Sequence, residues 1–156
     1  MPRVDLPVPA LGPALEFMSA LWALDHALQR RSKWMARRQG VTAPQRLALR
    51  LVGCMPDVSA GHLASALKVH PSTLTGVLRR LERRGFLRRR SDRADRRRVR
   101  LELTARGRAV CGHASGSTEA TVARVLRRTT PHQRQATSAL LASLAAALEV
   151  ESPAAK

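Results

Sequence analysis

Twelve arginines fall between Arg79 and Arg100, against only Glu82, Asp92 and Asp95, so these 22 residues carry +9 of the chain's formal +17. A guanidinium is always charged, planar and forked, and it pairs bidentately with phosphate oxygens or with O6 and N7 of guanine. Ser72, Thr73 and Thr75 stand just before the cluster and can hold phosphate oxygens through hydroxyls and free backbone N–H groups at a helix start. Arg79, Arg80 and Arg83 follow them at helical spacing. Gly76 lies among these residues at a cost of about 1 kcal/mol relative to Ala in a helix, which asks for either close approach to DNA or tight helix packing. The chemistry on offer is recognition of a polyanion.

The rest of the composition narrows the partner. With no Tyr, two Trp and two Phe, the chain has little material for stacking unpaired bases, which points to duplex over single strands. The 11 acidic residues supply no nucleophile with its base and no paired carboxylates, so the chain does not read as an enzyme. His26, His62, His70, His113 and His132 show no ligand spacing with Cys or carboxylates, so neither a metal nor another cofactor is expected. Cys54 and Cys111 read as separate thiols, and Cys54, beside Val52 and Met55, as a small buried apolar group. No apolar window approaches 18 residues and no secretory order opens the chain, so a membrane partner is excluded and the cytoplasm is expected.

The cluster is held by regular elements and not by a tail. Leu78, Leu81, Phe86, Leu87, Val99, Leu101 and Leu103 interleave with the charges, as a solvated segment would not. Residues 1–13 carry four prolines and read as a flexible arm. Residues 14–40 give an amphipathic helix through Phe17, Leu21, Leu24 and Leu28, stopped by Gly40. Thr42 and Gln45 have capping-box spacing, and Leu47, Ala48, Leu51 and Val52 form the stripe of a second helix. Ser59 opens a short helix with Leu63, Ala64 and Leu67 inward, and Pro71 opens another with Leu74, Val77, Leu78 and Leu81 inward, closed by Gly85.

After Gly85 the period changes to two. Residues 86–90 and 99–103 predict two strands around a polar tip at 91–96. Thr104 predicts the cap of a long helix reaching about Arg128, and Thr130 with Gln133 a second capping box, before a tail at 151–156. The fold class is mainly α with a small β-hairpin wing. Residues 41–104 form a winged helix-turn-helix, whose second helix enters the major groove while the hairpin follows the backbone.

The run His70 to Gly85 (HPSTLTGVLRRLERRG), Leu63 and Ala64 before it, the wing Asp95 to Thr104 (DRRRVRLELT) and Gly107 resemble the MarR family of bacterial transcription regulators. His70 and Gly76 depart from that pattern, which commonly has Ser or a similar cap and a polar or basic residue there. The resemblance implies a homodimer joined through residues 14–40 and 105–150, an imperfect inverted-repeat operator, and repression relieved by a small molecule. It also implies that Asp95 orients Arg97 near the minor groove, with Arg93 and Arg96 at the tip and Arg90 beside them. For relatives that take aromatic or phenolic ligands, it implicates Trp22, His26 and Arg46 in the pocket. The competing reading is a basic protein that binds nucleic acid without sequence preference or ligand control.

Overall fold

The computed structural model describes residues 11–91, 99–112 and 115–151. The chain divides into two units, one ending at residue 113 and the other beginning at 114. In the first, α1 (Pro13–Gln39) has proline in its opening turn, where a missing N–H costs nothing, and stops at Gly40, whose φ of 75° lies in the left-handed region. The Ser32 hydroxyl accepts a hydrogen bond from the Ala43 N–H at 3.1 Å, which ties α1 to the start of α2 (Ala43–Cys54). The expected capping box forms: Thr42 Oγ1 accepts from the Gln45 N–H, and Gln45 Oε1 accepts from the Thr42 N–H at 3.0 Å. Ser59 caps α3 (Ala60–Leu67) by accepting from the His62 N–H. A turn through Lys68 at φ 52° then leads to α4 (Pro71–Arg83).

One core unites these elements. Ala48, Leu49 and Val52 of α2, Leu63 and Ala64 of α3, and Leu74, Leu78 and Leu81 of α4 are buried together with Phe86, Leu87 and Leu101. Each Leu or Phe removed from water contributes roughly 1.5–3 kcal/mol, so the apolar stripe of α4 decides which way that helix faces. The last two of these side chains belong to an antiparallel hairpin, β1 (Leu87–Ser91) with β2 (Val99–Leu103), in the register Leu87 to Leu103 and Arg89 to Leu101. The Leu101 N–H donates to the Val58 carbonyl at 3.0 Å, which anchors the hairpin to the loop before α3.

The hairpin base closes on α5 (Ala105–Gly112). The single hydroxyl hydrogen of Thr104 is shared between the Gly85 and Phe86 carbonyl oxygens, 2.7 and 3.1 Å from Oγ1, and Oγ1 accepts from the Gly107 N–H at 3.1 Å. A Cβ at Gly107 would lie 2.0 Å from the Phe86 carbonyl oxygen, so this close approach admits only glycine. The second unit contains α6 (Thr118–Leu126), capped by the buried Ser117, and α7 (Pro131–Glu151), opened by the Thr130 and Gln133 capping box.

Three expectations are corrected. Leu47, read as part of the inward stripe of α2, is exposed, because the packed face of that helix runs through Ala48, Leu49 and Val52. The single long helix from Thr104 to about Arg128 is instead two: α5 ends at Gly112, and α6 starts anew after Gly116 at φ 72°, where Ser117 accepts from the Ala120 N–H. Cys54 is exposed, because α2 buries Val52 and turns its last residues outward, while Cys111 is half-buried. Among the described residues, no helix is long and apolar enough to cross a membrane.

Gly107→Ala should destabilise the first unit by about 1–3 kcal/mol through overpacking against backbone, read as a lowered denaturant midpoint. An unchanged midpoint would contradict the close approach.

Candidate nucleic-acid interface

With Leu74, Leu78 and Leu81 buried, the 100° step of an α-helix sets Ser72, Gly76, Arg79 and Arg83 on the opposite side of α4. Thr75 flanks that stripe on one side, and Thr73 and Arg80 on the other. All seven residues read from the sequence as groove contacts are exposed, so the structure brings them onto one continuous surface roughly 20 Å long. Among the described residues, no hydrogen bond or ion pair occupies the guanidinium groups of Arg79, Arg80 or Arg83.

The start of α4 is tightly organised. His70 replaces the usual hydroxyl cap with its ring: Nδ1 accepts from the Ser72 N–H at 3.3 Å and lies 2.7 Å from the Ser72 hydroxyl. Thr75 donates its hydroxyl to the Pro71 carbonyl at 2.9 Å, which leaves its oxygen lone pairs outward as acceptors. At Gly76 an added Cβ would meet only the Arg80 side chain, at 3.9 Å. Helix packing therefore does not account for this glycine.

The hairpin arginines differ from those of α4, a distinction sequence reasoning missed. Arg88 and Arg90 both reach Glu102 across the ladder, at 2.9 and 3.3 Å. Arg89 pairs with Glu82 of α4 at 2.8 Å, and Arg100 with Asp57. Arg90, read from the sequence as a wing contact to DNA, is engaged by a carboxylate. The alternation of β2 carried the signal, since Glu102 stands directly opposite Arg88. Hydrogen bonding from Arg88, ahead of that from Arg90, holds the Glu102 carboxyl below the usual carboxylate range. The other wing residues named from the sequence, Arg93, Asp95, Arg96 and Arg97, lie outside the described residues.

Arg84 and Arg106 stack on the Phe86 ring, 5.5 and 4.6 Å from its centre, which adds cationic surface at the hairpin base. The three residues read as a ligand pocket occupy different surroundings. Trp22 is 76% exposed and His26 is exposed on α1, whereas Arg46 is 1% exposed, its guanidinium bonded to the carbonyls of Val110 and Cys111 at the end of α5. Among the described residues, no three His, Cys, Asp or Glu side chains gather as a metal site.

Residues 41–99, spanning α2 to the second strand, match the MarR family. The HTH-type transcriptional repressor Mb2911 of Mycobacterium bovis is 38% identical over 97 residues, 62% of this chain and 70% of that protein. The chain belongs to the MarR family. The regulator HosA of Escherichia coli is 34% identical over 86 residues, covering 55% of this chain and 64% of HosA. Among solved structures, the Mycobacterium tuberculosis regulator MOSR in complex with DNA superposes with a TM-score of 0.63 at 27% identity, over 88% of this chain and 98% of MOSR. The Staphylococcus aureus MepR complex with DNA gives 0.67 at 18% identity, over 85% and 97%, a likeness of fold. As a MarR protein the chain is a DNA-binding transcriptional regulator and not an enzyme.

The clamp on Glu102 has a pH signature. Because its folded-state pKa is depressed, its contribution is complete above the ordinary carboxylate range and is lost as pH falls through the lowered value. Hydrogen exchange of the hairpin amides should accelerate over that acidic interval relative to the intrinsic rate. Glu102→Gln should flatten the response, and a wild-type hairpin indifferent to acid would rule the clamp out.

Proposed function

We propose that the chain is a repressor that binds an imperfect inverted-repeat operator as a homodimer, reading the major groove with α4, and that a small molecule releases it. The observation that carries the reading is the outward stripe of α4: hydroxyls, a glycine and unpaired arginines opposite a buried leucine face. The name of the M. bovis relative, a repressor, supports the direction of control. Exposed Leu15, Met18, Trp22 and Leu24 on α1, and Leu140, Leu141 and Leu148 on α7, support association of two copies, since such apolar rows are costly to leave in water. Residues 14–40 and 105–150 would then supply the dimer contacts and 41–104 the DNA-binding lobe, with Arg93, Asp95, Arg96 and Arg97 of the wing tip at the minor groove.

Release requires an effector that binds the DNA-incompetent arrangement more tightly, because only differential affinity shifts that equilibrium. The solved PcaV regulator of Streptomyces coelicolor, in complex with its natural ligand, supports a small-molecule effector by likeness of fold, at 23% identity and a TM-score of 0.68. An aromatic or phenolic compound near Trp22 and His26 is the class we propose. Arg46 would join such a contact only by giving up its bonds to the end of α5.

Duplexes enriched from a random pool by the purified protein supply the operator for testing. Gly76→Ala should stabilise the fold by about 1 kcal/mol, since Ala is the better helix former, yet weaken operator binding. Arg79→Ala should cost about 1–3 kcal/mol on the operator and much less on random duplex. Equal losses on every duplex would instead favour a binder without sequence preference.

A further inference from the structure

The outer face of the hairpin presents a charge arrangement that phosphate contact alone would not call for. In the antiparallel register Arg88 faces Glu102 and Arg90 faces Arg100, and alternation puts all four on the same face, away from the buried Leu87 and Leu101. Two arginines directly opposed repel one another across a ladder. Here each is drawn aside by a carboxylate, Arg90 by Glu102 and Arg100 by Asp57. Glu102 receives Arg88 through Nε at 3.0 Å and Nη2 at 2.9 Å on Oε2, and Arg90 through Nη1 at 3.3 Å on Oε1. Both carboxylate oxygens are thereby used, and two guanidiniums share one negative charge.

A carboxylate held against a guanidinium occupies the donors a phosphate would take. Exposed pairs of this kind are weak enough for DNA to displace, but each displacement subtracts from the binding it permits. Such a tax falls on sequence-independent contacts where the hairpin arginines would meet the DNA backbone, while among the described residues no ion pair engages the α4 arginines that can read bases. From this juxtaposition, which rests on the DNA-binding reading above, we infer that Glu102 sets the sequence-independent part of DNA affinity: it competes with DNA phosphates for Arg88 and Arg90 and so lowers binding to every duplex, non-operator DNA included.

The test measures affinity of full-length wild type, Glu102→Gln and Glu102→Ala for the selected operator and for a random duplex of equal length, across a salt series. Each freed arginine that gains a phosphate steepens the dependence of log K on log salt by about 0.9. Both variants should therefore bind operator and random duplex alike about three- to tenfold tighter at low salt, with a slope steeper by about one to two per protomer and the ratio of the two affinities unchanged. Adding Arg88→Ala and Arg90→Ala to Glu102→Gln should abolish the gain, a dependence that a merely structural role would not produce. An unchanged slope, or weaker binding to both duplexes, overturns the inference while leaving the DNA-binding reading intact. Failure of the wild type to bind any duplex would remove that reading and the inference with it.

Discussion

The interface depends on the burial of Leu74, Leu78 and Leu81. Those three side chains seat α4 against α2, α3 and the hairpin base, and helical geometry then leaves Ser72, Gly76, Arg79 and Arg83 facing out. The same core includes Phe86, Leu87 and Leu101, so the recognition helix and the hairpin are fixed to one scaffold. The Thr104 hydroxyl and the Gly107 approach to Phe86 then lock the hairpin base to α5.

On this scaffold the charge is sorted as well as concentrated. Among the described residues the arginines of α4 stand without partners, while those of β1 and β2 meet Glu82, Glu102 and Asp57. A surface of unpaired arginine throughout would bind any duplex through counterion release, with affinity that collapses as salt rises. Pairing the hairpin arginines moves the balance toward the helix that can read base edges. Three carboxylates out of the chain's small acidic complement thus have a functional consequence out of proportion to their number.

Much of this is legible in the sequence. Caps at Thr42, Ser59 and Thr130, the stop at Gly40 and the change of period after Gly85 locate α2, α3, α7, α1 and the hairpin to within a residue or two, because each signal reflects a local hydrogen bond or backbone conformation. The break between α5 and α6 was readable too, in Gly116 followed by Ser117, but the apolar pattern on either side masks it. Partner choice was legible only across the ladder, where alternation sets Glu102 opposite Arg88. That Arg46 is buried against α5, or that Arg100 meets Asp57, depends on which residues the tertiary fold brings together, and periodicity carries no such information. Exposure of Cys54 escaped for the same reason.

The most direct measurement of the central claim is a hydroxyl-radical footprint of the purified protein on the DNA upstream of its own coding sequence. Two α4 helices presented by a symmetric dimer predict protected patches related by a dyad, with centres about one helical turn, roughly 34 Å, apart. Uniform, unphased protection that spreads with protein concentration would contradict it.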